Sequence, residues 1–174
     1  MPTEWGPAEV QQALHRLADS IAQACTDRPW ALVGIRKGGV ELADRLQACV
    51  AGSRRPARGN VDITLYRDDL YTGLEKPVLG DTDLPFSVDG CDIVLVDDVL
   101  YTGRTVRAAM DEILDYGRPA RIRLAVLVDR GHRELPIAAD HVGLRLETAQ
   151  ADRVEVVLGA KNRTEEDHIW LKRR

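Results

Sequence analysis

Ile93-Val94-Leu95-Val96-Asp97-Asp98-Val99-Leu100-Tyr101-Thr102-Gly103-Arg104-Thr105 is the stretch that decides the fold of this chain. Its apolar, β-branched opening, Ile93 to Val96, reads as a buried strand, and the adjacent carboxylates Asp97 and Asp98 stand at the strand end. A loop follows from Tyr101 to Thr105, and Val106, Met110, Ile113 and Leu114 then recur at helical spacing. The pattern is strand, acids, loop, helix. Free backbone N–H groups and the dipole at a helix N-terminus favour an anion. Thr102 and Thr105 add hydroxyl donors, and Gly103 lets the backbone approach closely. The carboxylates stand where they would accept hydrogen bonds from sugar hydroxyls or hold a Mg²⁺ shell. A phosphate at the loop and a ribose at the acids make a sugar-phosphate site.

An acid pair after a buried strand would also suit the metal-binding strand of a P-loop NTPase. That enzyme needs G-x-x-x-x-G-K-[ST], and a dinucleotide fold needs G-x-G-x-x-G; the chain contains neither. A purely structural role leaves two adjacent acids repelling each other without a cation or donors.

A second strand–loop–helix unit precedes this one. Ala31 to Ile35 reads as a short buried strand, Gly34-Ile35-Arg36-Lys37-Gly38-Gly39 as a turn, and Val40, Leu42, Ala43 and Leu46 as a helix face. Two cations and two glycines suit a diphosphate, although a simple helix entry explains Lys-Gly-Gly equally well when taken alone. Upstream, Val10, Leu14, Leu17 and Ile21 predict a helix over Pro7 to Ala24. Ala51 to Asn60 reads as a polar connection, and Val61 to Tyr66 alternates as a half-exposed strand. Arg67 to Phe86 has little periodicity, and a loop of that length is usually functional or disordered. Downstream, Arg121 to Val128 is a buried strand, and Asp129 to Ile137 a polar loop in which His132 is expected to bond backbone. His141 to Leu146, Val154 to Leu158 and His168 to Leu171 are short strands, with Glu165-Glu166-Asp167 as a solvated turn. The alternation predicts an α/β fold, a mainly parallel sheet with helices on both faces and a smaller C-terminal part.

At 174 residues the chain is most simply one domain. A net charge of −4 argues against non-specific nucleic-acid coating but leaves room for a local basic patch. Cys25, Cys49 and Cys91 are isolated and odd in number, which speaks for core thiols in a reducing compartment rather than a disulfide framework or zinc site. No signal peptide or membrane-length apolar run is present, so a cytoplasmic protein is expected.

The run from Ile93 to Thr105 resembles the phosphoribosyl-pyrophosphate (PRPP) signature of type I phosphoribosyltransferases. Its wording, with Asp62-Ile63-Thr64-Leu65-Tyr66-Arg67-Asp68-Asp69 and Asp129-Arg130-Gly131-His132-Arg133-Glu134-Leu135-Pro136-Ile137, is similar to the PyrR family, pyrimidine-operon attenuation regulators that are also uracil phosphoribosyltransferases. The resemblance implies the type I phosphoribosyltransferase fold over residues 1–174, with a flexible hood at about 66–86 and base-covering strands at about 137–174. It implies conversion of uracil and PRPP to UMP and diphosphate, with Mg²⁺ held through the substrate diphosphate and in part by Asp97 and Asp98. Those acids would face the ribose and carry catalysis, with Tyr101, Thr102, Gly103, Arg104 and Thr105 completing the PRPP site. Arg36, Lys37 and Gly38 would form the pyrophosphate loop, with a cis peptide at Arg36–Lys37. Val128, Asp129 and Arg130 would take the base, largely by main-chain groups. Tyr66, Arg67, Asp68 and Asp69 would belong to the hood that keeps water from the cationic ribose. The family also binds pyrimidine-operon mRNA with UMP raising affinity. Arg16, Arg145 and Arg153 are the candidates for that face, in a homodimer or larger assembly.

The chain departs from this pattern in places. Lys37-Gly38 stands where the family usually has a threonine and an arginine, closer to purine-salvage members. His15-Arg16-Leu17-Ala18-Asp19 replaces T-R-I-A-H, while Gly143-Leu144-Arg145 and Glu147-Thr148-Ala149 replace G-K-N and P-T-S. Three readings follow: a bifunctional enzyme and RNA-binding regulator, a phosphoribosyltransferase without RNA-binding regulation, and a regulator with weak catalysis.

Overall fold

The computed structural model describes residues 3–25, 28–50, 55–63, 82–159 and 164–173. Its centre is a five-stranded sheet built from β2 (Trp30–Ile35), β3 (Ala57–Val61), β4 (Asp92–Leu100), β5 (Arg121–Asp129) and β6 (His141–Arg145), in the order β3-β2-β4-β5-β6. Every pairing in it is parallel. Parallel strands need crossovers, and α1 (Pro7–Ala24), α2 (Gly38–Cys49) and α3 (Arg104–Asp115) cover the two faces.

The central strands show why their sequences lack alternation. Leu32, Val94, Val96, Ala125 and Leu127 point to the side of α1 and α2, where they meet Leu14, Leu17, Leu42 and Leu46. Ala31, Val33, Ile35, Ile93, Leu95, Leu124 and Val126 point to the opposite side, against Val106, Ala109 and Ile113 of α3. Both faces are dry, so the middle of each of these strands is continuously apolar. Each large side chain fully enclosed in this way contributes about 1.5–3 kcal/mol.

A second, antiparallel sheet, β1 (Thr3–Trp5), β8 (His168–Lys172) and β7 (Arg153–Val157), has the order β1-β8-β7. Its inner residues Trp5, Val154, Val156 and Ile169 close over the α1–α2 side of the core.

Four expectations need adjustment. The edge strand is Ala57–Val61, inside the segment read as a connection, and not Val61 to Tyr66, of which 64–66 lie outside the described residues. Backbone pairing from Ala31↔Ala57 to Ile35↔Val61 holds it, and an edge strand tolerates the polar Arg58 and Asn60. β4 runs on through the acid pair to Leu100, so Asp97 and Asp98 lie within a strand rather than at its end. α3 starts at Arg104, so Arg104 and Thr105, read as the end of the loop, form its first turn. Asp167, expected in a solvated turn, is fully buried, because a buried arginine claims both its oxygens.

Candidate functional site

The acids stand where the sheet opens. β2 follows β4 only as far as Gly34↔Val96, whereas β5 accompanies it to Leu100↔Asp129. Beyond Val96 one flank of β4 is therefore uncovered, and a crevice at the carboxyl ends of parallel strands is the usual ligand position in such sheets. Asp97 is buried and Asp98 half-buried. The Asp98 N–H donates to Asp97 Oδ1 at 3.0 Å, and the Val99 N–H donates to Asp98 Oδ1 at 2.8 Å. Burial, reinforced by the neighbouring Asp98 charge, pushes the Asp97 carboxyl well above its ordinary range.

The Arg36–Gly39 turn fills the rest of the crevice. Its Arg36–Lys37 peptide is cis, in accord with the resemblance. A Cβ on Gly39 would lie 2.2 Å from the Val96 carbonyl oxygen, and one on Gly38 would lie 2.2 Å from Asp98 Oδ2. Only glycine allows this backbone to lie directly on the acid-bearing strand. Arg36 and Lys37 remain exposed, and α2 begins at Gly38 with its N-terminus at the crevice. Lys37, Gly38, Glu41 and Asp98 form one wall of a cavity of about 300 Å³; Val156, Val157 and Leu158, at the end of β7, form the other.

The loop after β4 is shaped by Gly103, whose φ of 92° no other residue adopts easily and which caps α3. The Thr102 carbonyl accepts the N–H groups of Glu134 (3.0 Å) and Leu135 (3.2 Å), and Ile137 packs against Gly103. The loops after β4 and β5 are thus one unit. Arg104 turns to Glu134 at 2.7 Å with its side chain largely exposed. Thr105 is exposed in the first turn of α3. The Arg130 guanidinium covers the Tyr101 ring at 4.2 Å.

Sequence reasoning passes over Arg133. It donates to the carbonyls of Tyr101 (2.8 Å), Gly131 (3.0 Å) and Ile137 (3.1 Å) and pairs with Asp129. The only signal in the chain is an arginine four residues after an acid at a strand end, which in a polar loop looks like any solvated pair.

Val128 is fully enclosed in the core, so only its main chain faces the loops. Asp129 accepts from the Gly131 N–H at 3.0 Å and pairs with both Arg133 and Arg145. Arg130 is buried, its Nη2 donating to the Ala149 carbonyl at 3.0 Å. His132 Nε2 sits 2.7 Å from the Thr148 carbonyl oxygen, as a backbone-bonded loop histidine should. Arg16 donates to the Gly143 carbonyl at 3.2 Å, which sets it beside the strand ending in Arg145; exposed Arg153 lies on β7 in the other sheet. Tyr66, Arg67, Asp68 and Asp69 lie outside the described residues. No group of three or more His, Cys, Asp or Glu side chains that could hold a metal ion occurs among the described residues, and none of their helices is long and apolar enough to cross a membrane. Two carboxylates beside a glycine-lined loop are oxygen donors of the kind a hard cation takes, with Asp98 the more accessible of the two.

The phosphoribosyl transferase domain model matches residues 7–162. The bifunctional protein PyrR of Pelotomaculum thermopropionicum is 57% identical over 152 residues, covering 86% of this chain and 84% of that protein. The bifunctional protein PyrR of Chloroflexus aurantiacus is 54% identical over 154 residues, covering 86% and 84%. In fold, the chain is similar to a hypoxanthine-guanine phosphoribosyltransferase of Bacillus anthracis, with a TM-score of 0.69 at 17% identity over 94% of this chain and 93% of that one.

Proposed function

This chain belongs to the PyrR family of phosphoribosyl transferase domain proteins, and on that footing we propose that it converts uracil and PRPP to UMP and diphosphate and regulates pyrimidine genes by UMP-dependent binding to mRNA. The observation that carries the enzymatic half is the acid pair lying directly against the Lys37-Gly38-Gly39 backbone, toward the carboxyl end of the central strand of the parallel sheet.

In this reading the chemistry is positioning and electrostatics. Diphosphate leaves C1 of the ribose, and positive charge develops on the sugar ring. Asp97 and Asp98 hold the ribose hydroxyls and face that charge. The N-terminus of α2, with Arg36 and Lys37, receives the diphosphate; Mg²⁺, when bound, neutralises its negative charge. Tyr101 to Thr105 and the N-terminus of α3 grip the 5-phosphate. The main chain of Val128, Asp129 and Arg130 presents the base edge. Uracil N1 is acidic enough to need no dedicated base. Tyr66, Arg67, Asp68 and Asp69, outside the described residues, take the family role of keeping water from the cationic ribose. One domain carries the whole task, in the cytoplasm, and two or more copies assemble so that Arg16, Arg145 and Arg153 contribute to a shared RNA surface.

Steady-state kinetics with uracil, hypoxanthine and guanine test the base. Preference for a purine overturns the uracil assignment and makes Lys37-Gly38 the mark of a purine enzyme. The pairing of Arg145 with Asp129 favours a second reading, a phosphoribosyltransferase without an RNA site. A gel shift with pyrimidine-operon leader RNA decides it: UMP-enhanced binding supports the regulator, and no shift in micromolar protein overturns it.

A further inference from the structure

We infer that the buried ion pair of Arg45 and Asp167 is a positioning device for the substrate diphosphate, holding the two walls of the 300 Å³ cavity at a set distance. The inference rests on the reading above, in which the Lys37-Gly38 loop takes the diphosphate.

Asp167 has no exposure, and its two oxygens receive four donors. Oδ1 accepts from Arg45 Nη2 at 3.0 Å and the Gly159 N–H at 2.9 Å. Oδ2 accepts from Arg45 Nη1 at 3.0 Å and Gln11 Nε2 at 2.7 Å. Arg45 Nη2 also donates to the Gly159 carbonyl, and its Nε reaches Glu41 at 3.3 Å. Gly159 is therefore gripped at both its N–H and its carbonyl by one ion pair.

The position of these groups gives the pair its role. Gly159 directly follows Val156, Val157 and Leu158, which form the β7 wall of the cavity. Arg45 stands one turn after Glu41 on α2, whose first turn carries Gly38 and Glu41 on the facing wall. The pair thus links the helix that begins at the diphosphate loop to the strand end opposite it. A buried ion pair contributes little net stability compared with apolar side chains of the same volume, because desolvation offsets the attraction; what it supplies is a defined geometry. A forked guanidinium holding a carboxylate and a carbonyl together is suited to that purpose. The groups assigned to the ribose and 5-phosphate stand on β4, the loop after it and the start of α3, and of these only Asp98 lines the cavity that the pair spans. Loosening the pair therefore weakens diphosphate binding more than it slows the chemical step.

The test uses the full chain as Asp167→Asn, Arg45→Lys, and the double variant Arg45→Met with Asp167→Leu, which removes the linkage but keeps an apolar core. Thermal melts establish folding. Calorimetry with inorganic diphosphate and Mg²⁺, and kinetics with varied PRPP, read the effect. The expected result for the folded double variant is a rise of about 10-fold in both the diphosphate Kd and the KM for PRPP, with kcat within about 3-fold, and an intermediate rise for Arg45→Lys. Kd and KM within about 2-fold of wild type in a folded variant overturn the inference, as does a loss confined to kcat. Loss of the native melt in all three variants also overturns it, since the pair is then structural only. Wild-type protein that binds diphosphate without using uracil refutes the uracil reading and leaves the Kd comparison intact. Wild-type protein that binds no diphosphate refutes the loop assignment and this inference together.

Discussion

Asp97 and Asp129 are both buried acids in the carboxyl-terminal halves of neighbouring parallel strands, and the protein treats them in opposite ways. Asp129 is answered in full: Arg133 and Arg145 pair with it, and the Gly131 N–H bonds to it. Among the described residues no cationic side chain pairs with Asp97; its close neighbour is a second carboxylate, Asp98. A charge satisfied by the fold is architecture. A charge left with a like neighbour at an open strand edge waits for what a ligand brings, here sugar hydroxyls and a cation. Asp129, through Arg133, fastens the loop after β5 to the loop after β4, and Asp97 lies under the Gly38-Gly39 backbone beside Asp98.

Breaking the unanswered pair should have the largest effect. Asp97→Asn with Asp98→Asn is expected to lower UMP formation by about 10³-fold or more, the scale of removing electrostatic transition-state stabilisation. A radiolabelled uracil assay reads it, and turnover within a few-fold of wild type would sink the mechanism. Next comes the answered acid. Arg133→Met leaves Asp129 with the exposed Arg145 and the Gly131 N–H and frees the Tyr101 and Ile137 carbonyls. It should cost about 2 kcal/mol of stability and raise the KM for PRPP, seen in denaturant titration and kinetics. An unchanged midpoint and KM would show that the two loops hold together without it.

The pH dependence probes Asp97 directly. The folded pKa of Asp97 is raised above 3.8 by burial and by Asp98. Between 3.8 and that raised value the folded state holds a proton that the unfolded state has released, so stability falls as pH rises through the window. Ligand-free protein should therefore melt lower as pH climbs through that window, Asp97→Asn should flatten the trend, and Mg²⁺ with diphosphate should release a proton on binding. An identical profile in the variant refutes the assignment of that titration to Asp97. The smallest effect is expected from Arg145→Ala, because an arginine with 73% of its side chain exposed contributes within about 0.5 kcal/mol to its pair. A loss several times larger, measured by thermal melting, would mean that Arg133 alone does not satisfy Asp129.

Much of this was legible in the chain. The runs at Ala31–Ile35, Ile93–Val96 and Leu124–Val128 lack alternation because both faces of their sheet are covered, which is itself the signature of a parallel α/β core. The acid pair, the glycines at 38, 39 and 103 and the helices that start at Gly38 and after Gly103 follow from local chemistry, and the structure brings the loop and the acids together. The edge strand Ala57–Val61 was not legible, because its polar sequence is held by backbone pairing with β2 and not by its own pattern. Nor was the difference between Asp97 and Asp129, which depends on which side chains the loops return to each strand end.

The sequence by itself determined the parallel core, the family and the residues from which a ribose-phosphate site is built, since these rest on burial patterns and short-range spacing. Only the tertiary structure decided which charges are spent on the fold and which are left for a ligand. Asp167 illustrates the reason: three consecutive acids read as a solvated turn, yet Arg45, 122 residues away in the chain, meets Asp167 in the core and turns an apparent surface charge into a buried joint beside the cavity. A partner that far away in sequence leaves no local trace, and desolvation makes that partner decisive.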